Sequence, residues 1–463
     1  MASPPGDIPG LLRELESDAS DRHLTSQDRV KYLETLKVLG RCQPTSSLLF
    51  AREGIKTLCI HAFRVNSNQP KAELEALRCL ANSLLLAPQT RAMIVEEGFA
   101  RVPAEKLVED ISYDKELCLS RMIFFGTYEP SYPLKEIVTE YDLDGRVEKL
   151  LRRHAARYPL SPDLSGPPQE MVLVETLKLV FNVSHFMQQK DLFSSSLPHI
   201  IKMLLLHPIE SYPPTSPISA LSSLVNALLT IIDTTSSSNL LFPTSEPTKI
   251  SRRLVALLDR ALGEGYNTIK DTLDASLAPL LQLLRKLLPY APKPVITALQ
   301  TDLLPSDEDR TKPLGTGTTL SARLLRLSTT PTSERARESA GDLLFSLSSS
   351  DPAQFIRNVG YGFASGYLVN KKLPVPPEAL ADAGDEKKPV NPITGQMRES
   401  EPVVPDPFAG MSDEEKEREA ERLFVLFERL RKTGVVDVKN PVQQAVEEGR
   451  FEELDDEGKP MRR

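Results

Sequence analysis

The sequence predicts an all-α protein, an armadillo- or HEAT-like right-handed superhelical solenoid, on three observations. Leucine-rich runs with helical spacing follow one another from about residue 24 to residue 370, with almost no strand-like alternation. Short breaks of Pro, Gly, Ser or Asn separate them. Each run is apolar on more than one side, and a dozen such helices cannot close as one bundle, whereas a stack buries every repeat against its neighbours at any length. With 463 residues, 40% of them hydrophobic, the chain is too long for one compact core of roughly 100–200 residues but well supplied for a stack.

Taken in order, the clear helical runs include 27–39, 48–63, 71–86, 115–125, 147–158, 169–188, 197–206, 218–230, 250–262, 275–288, 321–327 and 333–347. Three connections are long: 207–217 with four prolines, 233–248 with a Ser/Thr run, and 305–319; all three read as surface excursions. The repeat domain is thus residues 1–370. Residues 371–410 hold eight prolines and few aliphatic pairs, the composition of a flexible, extended tether. Beyond it, Ser412 and Glu415 have the spacing of a capping box, and Ala420, Leu423, Phe424, Phe427 and Leu430 line one face of an amphipathic helix, 411–434, that Gly434 stops. An acidic tail, 435–463, completes the chain.

Charge narrows the function classes. Lys and Arg number 56 against 64 Asp and Glu, a net charge of −8 with a pI near 5.5, which disfavours a nucleic-acid binder of the electrostatic kind. Residues 412–463 carry 15 acidic and 11 basic side chains, so half of the excess sits at the C-terminal end. The four cysteines, Cys42, Cys59, Cys79 and Cys118, form no C-x-x-C pair and fall in or beside apolar helices, as buried free thiols do. Neither a signal peptide nor an 18-residue apolar run is present, so a reducing, cytoplasmic setting is expected.

No catalytic set assembles. There is no G-x-x-x-x-G-K-[ST], and VGYGFASG at 359–366 has the wrong spacing and a helical lead-in for a dinucleotide loop. The six histidines show no metal-ligand spacing and no serine lies in G-x-S-x-G, so neither cofactor nor metal is expected. Asn182-Val-Ser184 is a formal glycosylation sequon, but inside a helical run it reads as coincidence. Lys149, Arg152, Arg153 and Arg157 make a basic stripe, either a solvated face or a site for an acidic partner.

A repeated device is more informative. In EALRCLANSLL (75–85), ETLKLVFNVSH (175–185) and ALSSLVNALL (220–229), a donor side chain stands four residues before an asparagine: Arg78/Asn82, Lys178/Asn182 and Ser222/Asn226. In a helical stack the inner helices line one groove, where an asparagine ladder would hydrogen-bond a partner's backbone and the cations its carboxylates. Alternatively, buried asparagines cross-link neighbouring helices.

Together with EALRCLANSLL and ETLKLVFNVS, the segments RMIFF (121–125), LSARLLRLSTT (320–330), GDLLFSLSSSDPAQFIRNVGYGFASGYL (341–368), NPITG (391–395) and GMSDEEKEREAERLFVLFERLRKTGVV (410–436) resemble the synembryns. These are armadillo-type exchange factors and folding chaperones of heterotrimeric G-protein α subunits. The resemblance implies binding of a GDP-loaded or nucleotide-free α subunit, release of GDP, and capture of the α subunit's C-terminal helix in a concave groove. It implies Arg78, Asn82, Arg121, Lys178, Asn182 and His185 as groove residues, and Tyr361, Phe424 and Phe427 as a second contact region. It further implies a monomer, cytoplasmic and recruited to the cell cortex or plasma membrane through its partner. Departures are Phe363, where animal members carry Asn, and the lack of Ser or Thr at 374–390, where they carry a phosphorylated stretch; Ser306 and Ser412, with acidic residues downstream, are the alternative phosphorylation candidates. A competing reading is an armadillo-type peptide-binding scaffold or transport adaptor without exchange activity.

Overall fold

The computed structural model describes residues 6–41, 45–66, 68–159, 168–189, 191–209, 219–232, 238–263, 266, 270–376 and 390–401, with residues 411, 412, 414–416, 418, 419, 422 and 425 beyond them. Two compact units divide the chain, Met1–Ser400 and Glu401–Arg463.

Among the described residues of the first unit, the helices longer than four residues are α1 (Ile8–Asp21), α2 (Ser26–Leu39), α3 (Arg52–Ile60), α4 (Pro70–Leu86), α5 (Thr90–Glu96), α6 (Val102–Lys106), α7 (Tyr113–Gly126), α8 (Leu134–Glu140), α9 (Leu143–Ala156), α10 (Gln169–Met187), α11 (Leu197–Leu206), α12 (Ala220–Ile231), α13 (Lys249–Leu262), α14 (Ala278–Leu287), α15 (Lys293–Leu303), α16 (Leu320–Ser328), α17 (Glu334–Leu347), α18 (Pro352–Val359) and α19 (Tyr361–Asn370). A π-helical turn, His61–Val65, extends α3. β pairing among these residues is a single bridge between Val390 and Met397. No described helix is long and apolar enough to cross a membrane.

The packing order makes this an all-α solenoid. One layer runs α2, α4, α7, α10, α12, α14, α17, each helix lying against the next; in the other, α1 packs on α3, α9 on α11, α11 on α13, and α13 on α15 and α16. Helices in such a stack need apolar residues on two or three sides, and α4 shows it: Ala72, Ala76, Leu77, Cys79, Leu80, Ala81 and Leu84 are all buried. Each leucine so enclosed contributes about 1.5–3 kcal/mol. Side-chain caps fix where helices begin. Thr25 accepts from Asp28 N–H at 3.1 Å, Ser112 from Lys115 N–H at 3.4 Å, and Asp351 from Ala353 and Gln354 N–H.

The structure departs from the sequence reading in several places, beginning with the short helices α5, α6 and α8 and the helix α19, none of which is among the runs read from the sequence. Helix α1 begins well before residue 24: Asp7 caps it, and Ile8, Leu11 and Leu15 anchor it although Pro9 and Gly10 open its first turn. Helix α15, between Pro292 and Leu304, uses only Val295, Leu299 and Leu303 as buried contacts, too sparse an apolar face to stand out. Loop 305–319 is not a loose excursion, because Asp309 accepts hydrogen bonds from Ser306, Thr319 and Ser321 and Arg310 is buried. Residues 390–400, assigned by their prolines to a tether, fold against the repeat domain. Of the other two long connections, residues 210–217 and 233–237 lie outside the described residues, but Ser238–Leu241 forms a short helix and Leu241 and Phe242 are buried, so 238–248 is packed rather than a surface excursion.

In the second unit the capping box is formed: Ser412 N–H donates to Glu415 Oε2 at 2.9 Å and Glu415 N–H to Ser412 Oγ at 3.4 Å. Helical backbone follows at the described residues 414–416, 418, 419, 422 and 425. Phe424, Phe427 and the acidic tail lie outside the described residues.

Candidate partner-binding face

Helices α4, α7 and α10 lie side by side, and the repeated device places equivalent side chains on them. Arg78, Asn82 and Arg121 line a cavity of about 400 Å³ together with Lys37, Arg41, Asp114, Leu117 and Cys118. Four cations therefore surround one opening. Three of them, Lys37, Arg78 and Arg121, are held by two buried carboxylates, Glu75 and Glu175, which stand three residues before the repeated cations Arg78 and Lys178. Glu75 is buried and accepts from Arg78 Nη1 at 2.5 Å and from Lys37; Arg78 also donates to Asp114. Glu175, equally buried, accepts from Lys178 Nζ at 3.1 Å and from Arg121 Nη2 at 2.9 Å across the α7–α10 joint. Burial works against the charge of Arg78, but Asp114 and Glu75 outweigh it and hold its pKa above the ordinary value. The side chains of Arg78, Arg121 and Lys178 remain 36%, 23% and 26% exposed, so charge still faces outward.

One turn further along the same helices the face becomes aromatic. Lys178 Nζ lies 4.4 Å from the Phe124 ring centroid, and Phe124 meets Tyr128 edge-on at 5.4 Å. Tyr128 meets Phe186 at 6.1 Å, Phe186 meets His185 at 5.3 Å, and His185 stacks on Phe181 at 6.4 Å. Tyr128 and Phe186 are 49% and 48% exposed, and Leu85 and Leu86 are exposed at the end of α4. Apolar rings left open beside fixed cations have the chemistry to take an amphipathic, acidic-ended segment.

Under this face the thiols are inert: burial pushes Cys79 and Cys118 up to about 12.

A family model for the guanine nucleotide exchange factor synembryn matches residues 32–450. The chain belongs to the synembryn family. A synembryn-like chaperone of Schizosaccharomyces pombe is 30% identical over 426 residues, 84% of this chain and 78% of the relative. Chaperone Ric-8A of Bos taurus is 25% identical over 467 residues, 92% and 85% of the two chains, and that of Xenopus tropicalis 24% over 501 residues, 97% and 89%.

In this synembryn-family chain the asparagine ladder is not continuous. Asn82 lines the cavity and Asn226 is half-buried, but Asn182 is buried and its Nδ2 donates to Thr127 Oγ1 at 3.0 Å. Asn182 is thus a cross-link between α10 and the end of α7, the alternative reading of a buried asparagine. Ser222 is likewise buried, its N–H held by Ser219 Oγ. His185 is exposed among the rings. Tyr361 stands apart at the start of α19, half-buried. Ser306 and Ser412 both spend their hydroxyls in local caps with Asp309 and Glu415.

Three of the four cations of the basic stripe are paired within the chain, while Lys149 is exposed. Arg153 donates to the carbonyls of Glu109 and Ile111 and to Glu116, Arg152 pairs with Glu109, and Arg157 donates to the Tyr113 hydroxyl. Sequence reasoning missed Glu75 and Glu175, although the pattern E-x-x-[RK] repeated in EALR and ETLK carried the signal.

Proposed function

We propose that this chain is a guanine nucleotide exchange factor and folding chaperone for heterotrimeric G-protein α subunits, taking the α subunit's C-terminal helix across the face of α4, α7 and α10. Supporting the reading is one observation above all: partly exposed Arg78, Arg121 and Lys178, aimed by buried Glu75 and Glu175, stand beside the exposed rings of Tyr128, His185 and Phe186. Cations suit the chain-terminal carboxylate of such a helix and the rings suit its apolar side. No group that could attack or protonate a phosphate is needed.

Exchange follows from differential binding. A GTPase closed around GDP packs its last helix against its own body, while the empty form releases that helix; a face that binds only the released helix shifts the population toward the empty state. GTP, by favouring the closed state, reverses the shift and frees the factor. Chaperoning is the same linkage applied to folding: whatever binds the nucleotide-free native form stabilises it by mass action.

The test is single-turnover GDP release from an α subunit with and without the protein. Wild type is expected to accelerate release, and Arg78→Glu or Lys178→Glu to weaken the acceleration at least about tenfold. Unchanged GDP release with wild type across a panel of α subunits overturns the proposal.

A further inference from the structure

Residues 390–397 form a compact loop. Asn391 Oδ1 accepts from the N–H groups of Ile393 and Thr394, Gly395 N–H donates to Asn391 O, and Asn391 N–H to Gln396 O. Its carbonyls serve as acceptors for the repeat domain. Tyr361 N–H donates to Pro392 O at 2.7 Å and Gly362 N–H to Ile393 O at 3.0 Å; these are the first two amides of α19, whose preceding residue, Gly360, supplies no side-chain cap. Leu314 N–H donates to Thr394 O at 3.1 Å, and Arg310 reaches Gly395 O at 2.9 Å while its other nitrogen donates to the carbonyls of Arg357 and Asn358 at the end of α18.

The fit explains the glycines of the VGYG segment. Gly360 has φ +78°, and a Cβ there would stand 3.0 Å from Gly395 N and 3.1 Å from Ile393 O. Gly395 has φ +68°, and a Cβ on it would run into Leu314.

Two features make this docking separable from the stack. Within the loop, Met397 is buried but Ile393 is 61% exposed, so the attachment is chiefly hydrogen bonds, each of small net worth. Helix α19 itself has only Ala364 and Leu368 fully buried, and glycines at 362 and 366 lower its own helical tendency.

We propose that residues 390–397 are a removable end-cap of the solenoid: their carbonyls complete the N-terminus of α19, so docking of the loop and order in α19 are one cooperative step. The end of the stack then has two states, capped and frayed. This stands apart from the partner reading, and its test involves no G protein.

Hydrogen–deuterium exchange on the full chain reads the amides of Leu314, Tyr361 and Gly362. Asn391→Ala, which removes the turn, and Gly395→Val, which cannot seat against Leu314, are each expected to speed exchange there about tenfold or more, with protection in α4, α7 and α10 unchanged. Exchange at Tyr361 and Gly362 that is equal in wild type and both variants overturns the proposal. Should Gly395→Val loosen every helix, Asn391→Ala decides; loosening of the whole stack in both variants also overturns it, because the loop is then an inseparable part of the core.

Discussion

Two carboxylates on adjacent helices, Glu116 and Glu175, are both buried and both paired with cations, yet they do different work. Glu116 is fully enclosed, accepting from Arg153, from His154 Nε2 at 2.8 Å and from Thr176 Oγ1 at 2.8 Å, and so welds α7, α9 and α10 together. Arg153 is only 15% exposed and His154 not at all. Glu175 carries Arg121 and Lys178, which keep about a quarter of their surface in solvent. Cover of the cation, rather than of the carboxylate, separates a closed joint from a charge left open to solvent. Where the cation is covered, the pair is closed to any third party; where it is open, the carboxylate aims a charge that another molecule can still meet.

The sharpest way to break this comparison is Glu116→Gln. It leaves Arg153 facing a neutral amide in a dry site and is expected to cost about 3 kcal/mol, read as a lower urea midpoint. Acid probes the same joint. Burial raises the carboxyl pKa of Glu116, but His154, Arg153 and Thr176 outweigh it and hold it below the ordinary 4.5. A depressed folded-state pKa contributes stability above the unfolded value that is lost as pH falls through the folded one, so the destabilisation by Glu116→Gln should shrink as pH drops below about 4.5. A penalty that stays constant down to pH 3 contradicts the assignment.

Asn182→Ala comes next, at about 1–2 kcal/mol, for the lost bond to Thr127 across α7 and α10. Under the proposed function, its acceleration of GDP release should follow the remaining folded fraction; a selective loss would return Asn182 to the proposed binding face. Smallest in stability is Glu175→Gln, below about 1 kcal/mol because its cations can turn to water. If the open cations bind, this change nevertheless raises the salt sensitivity of α-subunit binding, since Arg121 and Lys178 are no longer held in one orientation; unchanged binding at every salt concentration would show that aim does not matter.

Much of the fold was legible because burial in a stack repeats. Runs such as 71–86 and 169–188 are apolar on so many sides that no other arrangement encloses them, and Arg78 and Lys178 stand out as cations where the apolar pattern leaves a gap. Legibility failed where structure is built by backbone groups or over long separations. Nothing near residue 395 announces that its carbonyl meets Arg310, 85 positions earlier. Prolines at 389 and 392 disguise a loop whose order depends on an asparagine turn and on glycines opposite it. Asn182 was ambiguous for another reason: the same residue, one turn from a cation, serves a partner when its neighbour is solvent and a helix joint when its neighbour is Thr127.

The enclosure of the thiols in the layer of α4 and α7 has a consequence for their reactivity. Electrophiles and oxidants act on thiolates, and Cys79 and Cys118 are held protonated far above any cellular pH. These two thiols, enclosed beneath Arg78 and Arg121, are therefore expected to react with peroxide more slowly than an exposed cysteine does.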